Sequence, residues 1–546
     1  MSRRMSRALA APAVVLIALL AACAAPRPPV PGSAADGWRI ERVVEPSPFR
    51  GVHGLGFDPQ DRLVAGSVVG QSLYAVDRDT GAVTTLVGPP QGMADDVAFA
   101  PDGTMAWTGF LSGDLYARKG DGPIRKLASG LPGINSLAYR ADGRLFATQV
   151  FLGDALYEID PAGAKPPRKV MEGMGGLNGF QFGRDGRLYG PLWFKGQVVA
   201  VDVDAARLEV IADGFKVPAA VNIDSQGRIF VVDTKAGQLV RIDPATRAKT
   251  VVAQLSSSLD NLAIDSKDRI FVSNMADAGI QEVDAPSGRV RQVTRGRLAA
   301  PGGVAIAGHE VYVADLFAFR RVDAATGRVT DLARMHGDEL EYPFSVTANA
   351  RSVVLSSWFT SSVQVFDRAS GKPTLMVHGL AAPHDAVQLA DGSLMVAELG
   401  TGKLLHVSGP EGKTRRALAD GLAAPIGLAH DSRDWYVTEF GSGAVTRIDG
   451  RTGEKRVVAG GLQGPEGIAR RDDGTLVVVE AGAKRIVEVD PATGIVTPIA
   501  TSLPIGSTGP AGVPPSYIPT GVAIGADGSV WFASDVDNGL YRLVKR

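Results

Sequence analysis

Six residues spaced about 41 apart stand at the head of short apolar runs: His53, Asp95, Asn135, Asn178, Ala219 and Asp260. Five of the six are polar: one imidazole, two carboxylates and two amides. Such groups can exchange protons and bind a polar ligand once a single space gathers them. The matching series in the second half is Gly302, Phe344, His384, Ile426, Glu466 and Thr520, which is mixed. The asymmetry between the halves is the functional signal, beside the alternative of a solvated channel mouth, which would also be polar.

The elements that must position these residues repeat one pattern, seen clearly in residues 464–494, GPEGIARRDDGTLVVVEAGAKRIVEVDPATG. Short β-branched runs alternate with turns such as Asp473-Gly474, whose residues tolerate positive φ. Twelve copies follow one another, and the turn after the third run keeps an Asp, as at Asp77, Asp243, Asp367 and Asp490. Four antiparallel strands per copy and almost no helical period predict an all-β chain of propeller blades. A parallel β-helix would need shorter coils without hairpins. Natural propellers run from about four to eight blades. Twelve four-stranded repeats therefore divide into two tandem six-bladed β-propellers, with inner strands starting at one mouth of each channel.

Closure leaves a choice. The twelfth unit has three strands, and the apolar run 38–44 (WRIERVV) has no blade of its own. An open outer edge exposes unpaired N–H and C=O groups, so a strand is shared. In one wiring 38–44 closes the sixth blade and 289–294 crosses to the twelfth; in the other 38–44 reaches the twelfth directly. The first keeps each ring contiguous, 38–288 and 289–546, and is preferred. Insertions at 336–341 (HGDELE) and 504–517 (PIGSTGPAGVPPSY) fall on the face where inner strands of the second ring begin, the usual place for binding loops.

Composition bounds the partners. Lys and Arg number 57 against 58 Asp and Glu, with both signs scattered, so no basic stripe exists to engage nucleic acid. Arg3, Arg4 and Arg7 precede an apolar core at 8–22 that is too short for a comfortable membrane span, which predicts a signal peptide over 1–22. The single Cys, Cys23, follows Leu20-Ala21-Ala22 and resembles the lipobox of bacterial lipoproteins. That resemblance implies acylation of Cys23 and a lipid-anchored protein of the cell envelope, with Ala24 favouring the periplasmic face of the outer membrane. Residues 23–37 are Pro-rich and read as a tether.

The units GLNGFQFGRDGRLYG, SLDNLAIDSKDRIFV and GPEGIARRDDGTLVV resemble SMP-30/gluconolactonase/LRE-like and NHL-type propellers. The likeness implies one divalent ion, Ca²⁺ or Mg²⁺, held by Asp95, Asn135, Asn178 and Asp260, with Asp260 or His53 as general base. Oxygen donors without Cys suit such a hard cation. The implied reaction is hydrolysis of a lactone or ester. Two positions depart from the family pattern: His53 stands where the family has Glu, and Asp260 comes one blade late. A non-catalytic scaffold for an envelope protein or glycan is the alternative. A second alternative lies in the other ring, where His384 and Glu398, with Glu466 at the same mouth, resemble the His and Glu of virginiamycin B lyase. The recurrence of acids in the Glu398 slot (Asp233, Asp315, Glu439, Glu480) reads instead as turn support. No nucleophile elbow, phosphate loop or zinc spacing occurs in the sequence.

Overall fold

A computed structural model describes residues 29–546, so Cys23 and the segment 1–22 lie outside the described residues. Among the described residues no helix is long and apolar enough to cross a membrane. The chain forms twelve antiparallel sheets, each built from four strands in sequence order except where an N-terminal strand joins. The second strand of each blade is a largely apolar run buried on both faces, as in Ile229–Asp233 and Leu476–Glu480, and the Asp turns set the rhythm. Asp77, Asp243, Asp323, Asp367 and Asp449 each accept hydrogen bonds from backbone N–H groups two or three residues on, which fixes the third hairpin.

Two closed rings result. The inner strand of the sixth blade, Leu259–Ile264, packs against that of the first, Leu55–Phe57. The inner strand of the seventh, Pro301–Ala307, packs against Val522–Ile524 and Val530–Ala533 of the twelfth. Each ring therefore has six blades.

The preferred wiring is corrected by the strand pairing. Trp38–Val44 pairs with Leu540–Lys545, from Trp38 opposite Lys545 to Val44 opposite Leu540, and so completes the twelfth blade. Val290–Thr294 stays in the sixth blade beside Gly279–Val283. The reason is local: a tight turn at 284–289, with Gly288 N–H donating to Asp284 O at 2.8 Å, folds that strand back at once. Crossing to the other ring would discard a short hairpin for a long loop closure. The first ring thus closes by side-chain packing and hydrogen bonds alone, such as Ser273 Oγ to His53 O at 2.6 Å. The second is stitched by the N-terminal strand. Ser33–Ala34, expected in the tether, adds a fifth strand to the eleventh blade beside Val496–Thr501.

The rings meet mouth to mouth. One buried apolar cluster runs through both, joining Phe49, Val52 and Met275 to Phe317, Phe344 and Ile518. Hydrogen bonds cross the seam, including Ser258 Oγ to Met335 O (2.6 Å), Arg334 Nη2 to Asn274 Oδ1 (2.9 Å) and Gln71 Nε2 to Thr508 O (2.7 Å).

Candidate functional site

The inner strands bring His53, Asp95, Asn135, Asn178 and Asp260 to one chamber of about 440 Å³. Its far wall belongs to the second ring: Phe317, Tyr342, Phe344, Trp358 and Tyr517 line the same space. Both insertions contribute to the seam. His336 sets its ring edge-on to Trp193 at 5.0 Å, and 504–517 is tied to the first ring through Thr508. The expected channel mouth is therefore a covered compartment between two propellers.

At its floor, Nδ1 of His53 lies 3.2 Å from Oδ2 of Asp260 and 3.5 Å from Oδ1 of Asp95. Nε2 of His53 is buried without a hydrogen-bond partner among the described residues. Burial pulls this imidazole down, but the Asp260 hydrogen bond and the charges of Asp260 and Asp95 outweigh it, so its pKa is raised. Burial holds the Asp95 carboxyl well above the usual range against the lowering charge of His53, and the Asp260 charge adds to the rise. Ser136 Oγ contacts both Asn135 Oδ1 (2.7 Å) and Asn178 Oδ1 (3.0 Å), which leaves the amide N–H groups for other partners.

A divalent ion held by Asp95, Asn135, Asn178 and Asp260, as the family resemblance implied, would compete with the contacts these side chains make with His53 and Ser136. Among the described residues no three His, Cys, Asp or Glu side chains form a group that could hold a metal ion. The His53 imidazole stands beside both carboxylates, and the two amide oxygens face the Ser136 hydroxyl.

Sequence reasoning missed Asp96, one residue beyond Asp95. Its carboxylate accepts from Val97 N–H (2.9 Å) and Asn261 Nδ2 (3.2 Å), and Leu137 N–H lies at 3.4 Å, so it ties three blades across the channel. Burial raises its pKa well above the usual carboxylate value. Asp385 does the same in the second ring, accepting from Ser345 Oγ (2.8 Å) and Leu428 N–H (3.0 Å), with its pKa raised by burial to about 7. The signal was present as a polar residue at the second position of an apolar strand. The wall residues Phe317, Tyr342 and Trp358 were also missed, whereas His336 and Tyr517 lie in the two insertions read as binding loops. Burial lowers His336 to about 4, so it is neutral there.

The second-ring alternative does not assemble. His384 is fully buried, its ring nitrogens have no hydrogen-bond partner among the described residues, and burial lowers its pKa to about 3. Glu398 accepts from Ala381 N–H at 2.6 Å and from the Thr401 hydroxyl. Glu439 and Glu480 hold Ala423 N–H (2.6 Å) and Gln463 N–H (2.8 Å) in the same way. These acids fasten the loop before their own blade, which explains the recurrence. Glu466 takes Ser516 Oγ (2.8 Å) and Thr520 N–H (2.7 Å), and so anchors the 504–517 insertion.

No family model matches the chain, and no curated protein matches it. Solved structures give a distant likeness. A protein assigned as a gluconolactonase is 14% identical over 48% of this chain and 95% of its own, with a TM-score of 0.38. A PQQ-bound aldose sugar dehydrogenase from Streptomyces coelicolor is 15% identical over 48% and 98%, with a TM-score of 0.37. A GH74 xyloglucanase from Xanthomonas campestris is 14% identical over 93% and 100%, with a TM-score of 0.43. The resemblance is to propeller folds, and propellers host many unrelated functions.

Proposed function

We propose that this protein is a hydrolase of small esters or lactones that uses His53 as general base in the chamber between its propellers. The observation that carries the reading is the His53–Asp260 contact with Nε2 left unpartnered. The Asp260 carboxylate fixes the ring with its proton on Nδ1 and stabilises the imidazolium that forms. Nε2 is covered beside Phe317, so the ring must shift as substrate enters; Nε2 then removes a proton from water as the water oxygen bonds to the carbonyl carbon. An amide N–H of Asn178 is free to donate to the oxyanion, because its Oδ1 is held by Ser136. When the C–O bond breaks, the alkoxide takes the proton back from His53. A covered apolar compartment strengthens each of these interactions by excluding bulk water. No step passes through a metal ion.

The test is a panel of esters and lactones with the purified chain, with and without chelator. Hydrolysis should be indifferent to chelator and fall on the order of 10²–10⁴-fold in His53→Gln. A variant as active as the parent removes His53 from the chemistry; activity abolished by chelator restores the divalent ion.

A further inference from the structure

We propose that the ligand of the chamber is an amphiphile: one compact polar head on an apolar alkyl or flat aromatic body, and not a polyhydroxylated lactone. This names the ligand class for the site above. It rests on the chamber being the ligand site, and it does not require hydrolysis.

The chamber is polarised from end to end. Its hydrogen-bonding groups collect at the floor, around His53, Asp95 and Asp260, while the walls are built from Phe110, Trp193, Phe317 and Trp358. The polar wall groups are few: those of 336–342, the Thr360 and Tyr517 hydroxyls and the Trp193 indole N–H. A carbonyl head can meet the floor. A ring of hydroxyls would meet mostly aromatic and aliphatic faces with too few partners to pair them all, and each unpaired hydroxyl is costly.

The apolar lining also continues outward. Phe151 lines the chamber, yet it is 42% exposed, and Leu152 and Phe194 beside it are 49% and 60% exposed. The Phe151 ring meets Trp193 edge-on at 5.3 Å on one side and Phe194 at 5.8 Å on the other. An unbroken aromatic path therefore leads from the chamber to the surface. Phe151 reaches this position with φ at +67°, a region that bulky residues rarely adopt. Strain of that kind persists where the surroundings hold it and where a side chain has a task. Here the turn throws an aromatic ring into the gap between inside and outside, where an apolar tail longer than the chamber would lie.

The experiment uses the purified full chain and a series of N-alkyl γ-lactams from methyl to nonyl, which offer a carbonyl head without a scissile ester. Titration calorimetry and the fluorescence of the intact tryptophans read binding. The dissociation constant should fall roughly fourfold per added methylene until the tail reaches solvent. Phe151→Gly should weaken the long-chain lactams at least tenfold and leave the methyl lactam unchanged. Its melting temperature should not fall, because Gly accepts the positive φ. His53→Gln, a change at the head end, should shift the affinity of every member by a similar factor and leave the dependence on chain length as in the parent. Affinity that ignores chain length, or glucono-δ-lactone binding more tightly than the octyl lactam, overturns the proposal. Chain-length-dependent binding without ester hydrolysis upholds it and removes only the hydrolytic reading.

Discussion

His53 and Asp260 belong to the first and sixth blades, yet Nδ1 of one lies 3.2 Å from Oδ2 of the other. The contact exists because the ring closes, and it sits on the seam where the last blade meets the first. Ser273 of the sixth blade also bonds the His53 carbonyl. Site and closure thus share the same residues.

The pH dependence of hydrolysis follows from this pair. The base form of His53 is the deprotonated one, and its pKa is raised by Asp260 and Asp95 against the lowering effect of burial. The value of kcat/KM should therefore climb on a limb above the ordinary imidazole value of about 6.5. Asp260→Asn removes the strongest raising contact, so the limb should move to lower pH while the maximum falls. The same shift links to folding: His53 contributes stability below its unfolded pKa that is lost as pH rises through the raised folded value. A pH–rate profile of parent and variant checks the first sign, and denaturant unfolding as a function of pH checks the second.

Removal of 38–44 should destabilise the second ring. The strand covers the edge of Leu540–Lys545, and its end residues Trp38 and Val44 are buried. Without it a row of N–H and C=O groups is exposed. A truncation starting at residue 46 should show an earlier transition assigned to the second ring by proteolysis, with the first ring more resistant. Leu540→Ala, at the buried end of the same pair, should cost about 2–5 kcal/mol in denaturant unfolding. Coincident melting of truncated and intact chains would refute the stitching role.

Arg320 should be a stability determinant that joins the rings. It is buried, ion-paired to Asp315 and Asp331, and it donates to Ala276 O of the first ring. Asp315 in turn holds the Ala299 and Ala300 N–H groups in the link between the rings. Arg320→Ala leaves buried carboxylate uncompensated and should cost about 3–5 kcal/mol, measured by urea unfolding. Asp315→Asn in the same background should recover part of that loss.

Glu466 gives a separate pH signature. Burial, then the charge of Asp535, raises it to about 8, against the lowering hydrogen bonds from Thr520 and Ser516. The folded state then holds a proton that the unfolded state releases from about pH 4.5 upward. Stability should fall as pH rises between about 4.5 and about 8, and level off above that. Glu466→Gln keeps an acceptor for Thr520 and should flatten this slope and raise the melting temperature at pH 8. An unchanged slope would exclude Glu466 as its source.

The envelope address is tested at Cys23. If the lipobox resemblance holds, labelled palmitate should enter the full-length protein in cells and the protein should sediment with outer membranes. Cys23→Ser should abolish the label and move the chain to the soluble fraction. Labelling of the variant would rule the lipobox out.

The sequence by itself determined the all-β class, the blade count and the six-plus-six division. Those follow from local physics: short apolar runs, Asp and Gly turns, and a repeat that no single unit can satisfy alone. It also marked His53, Asp95, Asn135, Asn178 and Asp260 as a set, because one repeat position carries them all. Tertiary structure decided what the repeat could not encode. Both wirings of 38–44 present the same residues to a sheet edge, and only three-dimensional reach selected Leu540–Lys545. Likewise the wall of Tyr342, Trp358 and Tyr517 comes from a different ring, so no periodicity within the first could place it over His53. The contacts of the His53 ring with two carboxylates depend on side-chain distances of a few ångströms, a scale at which position in the repeat carries no information.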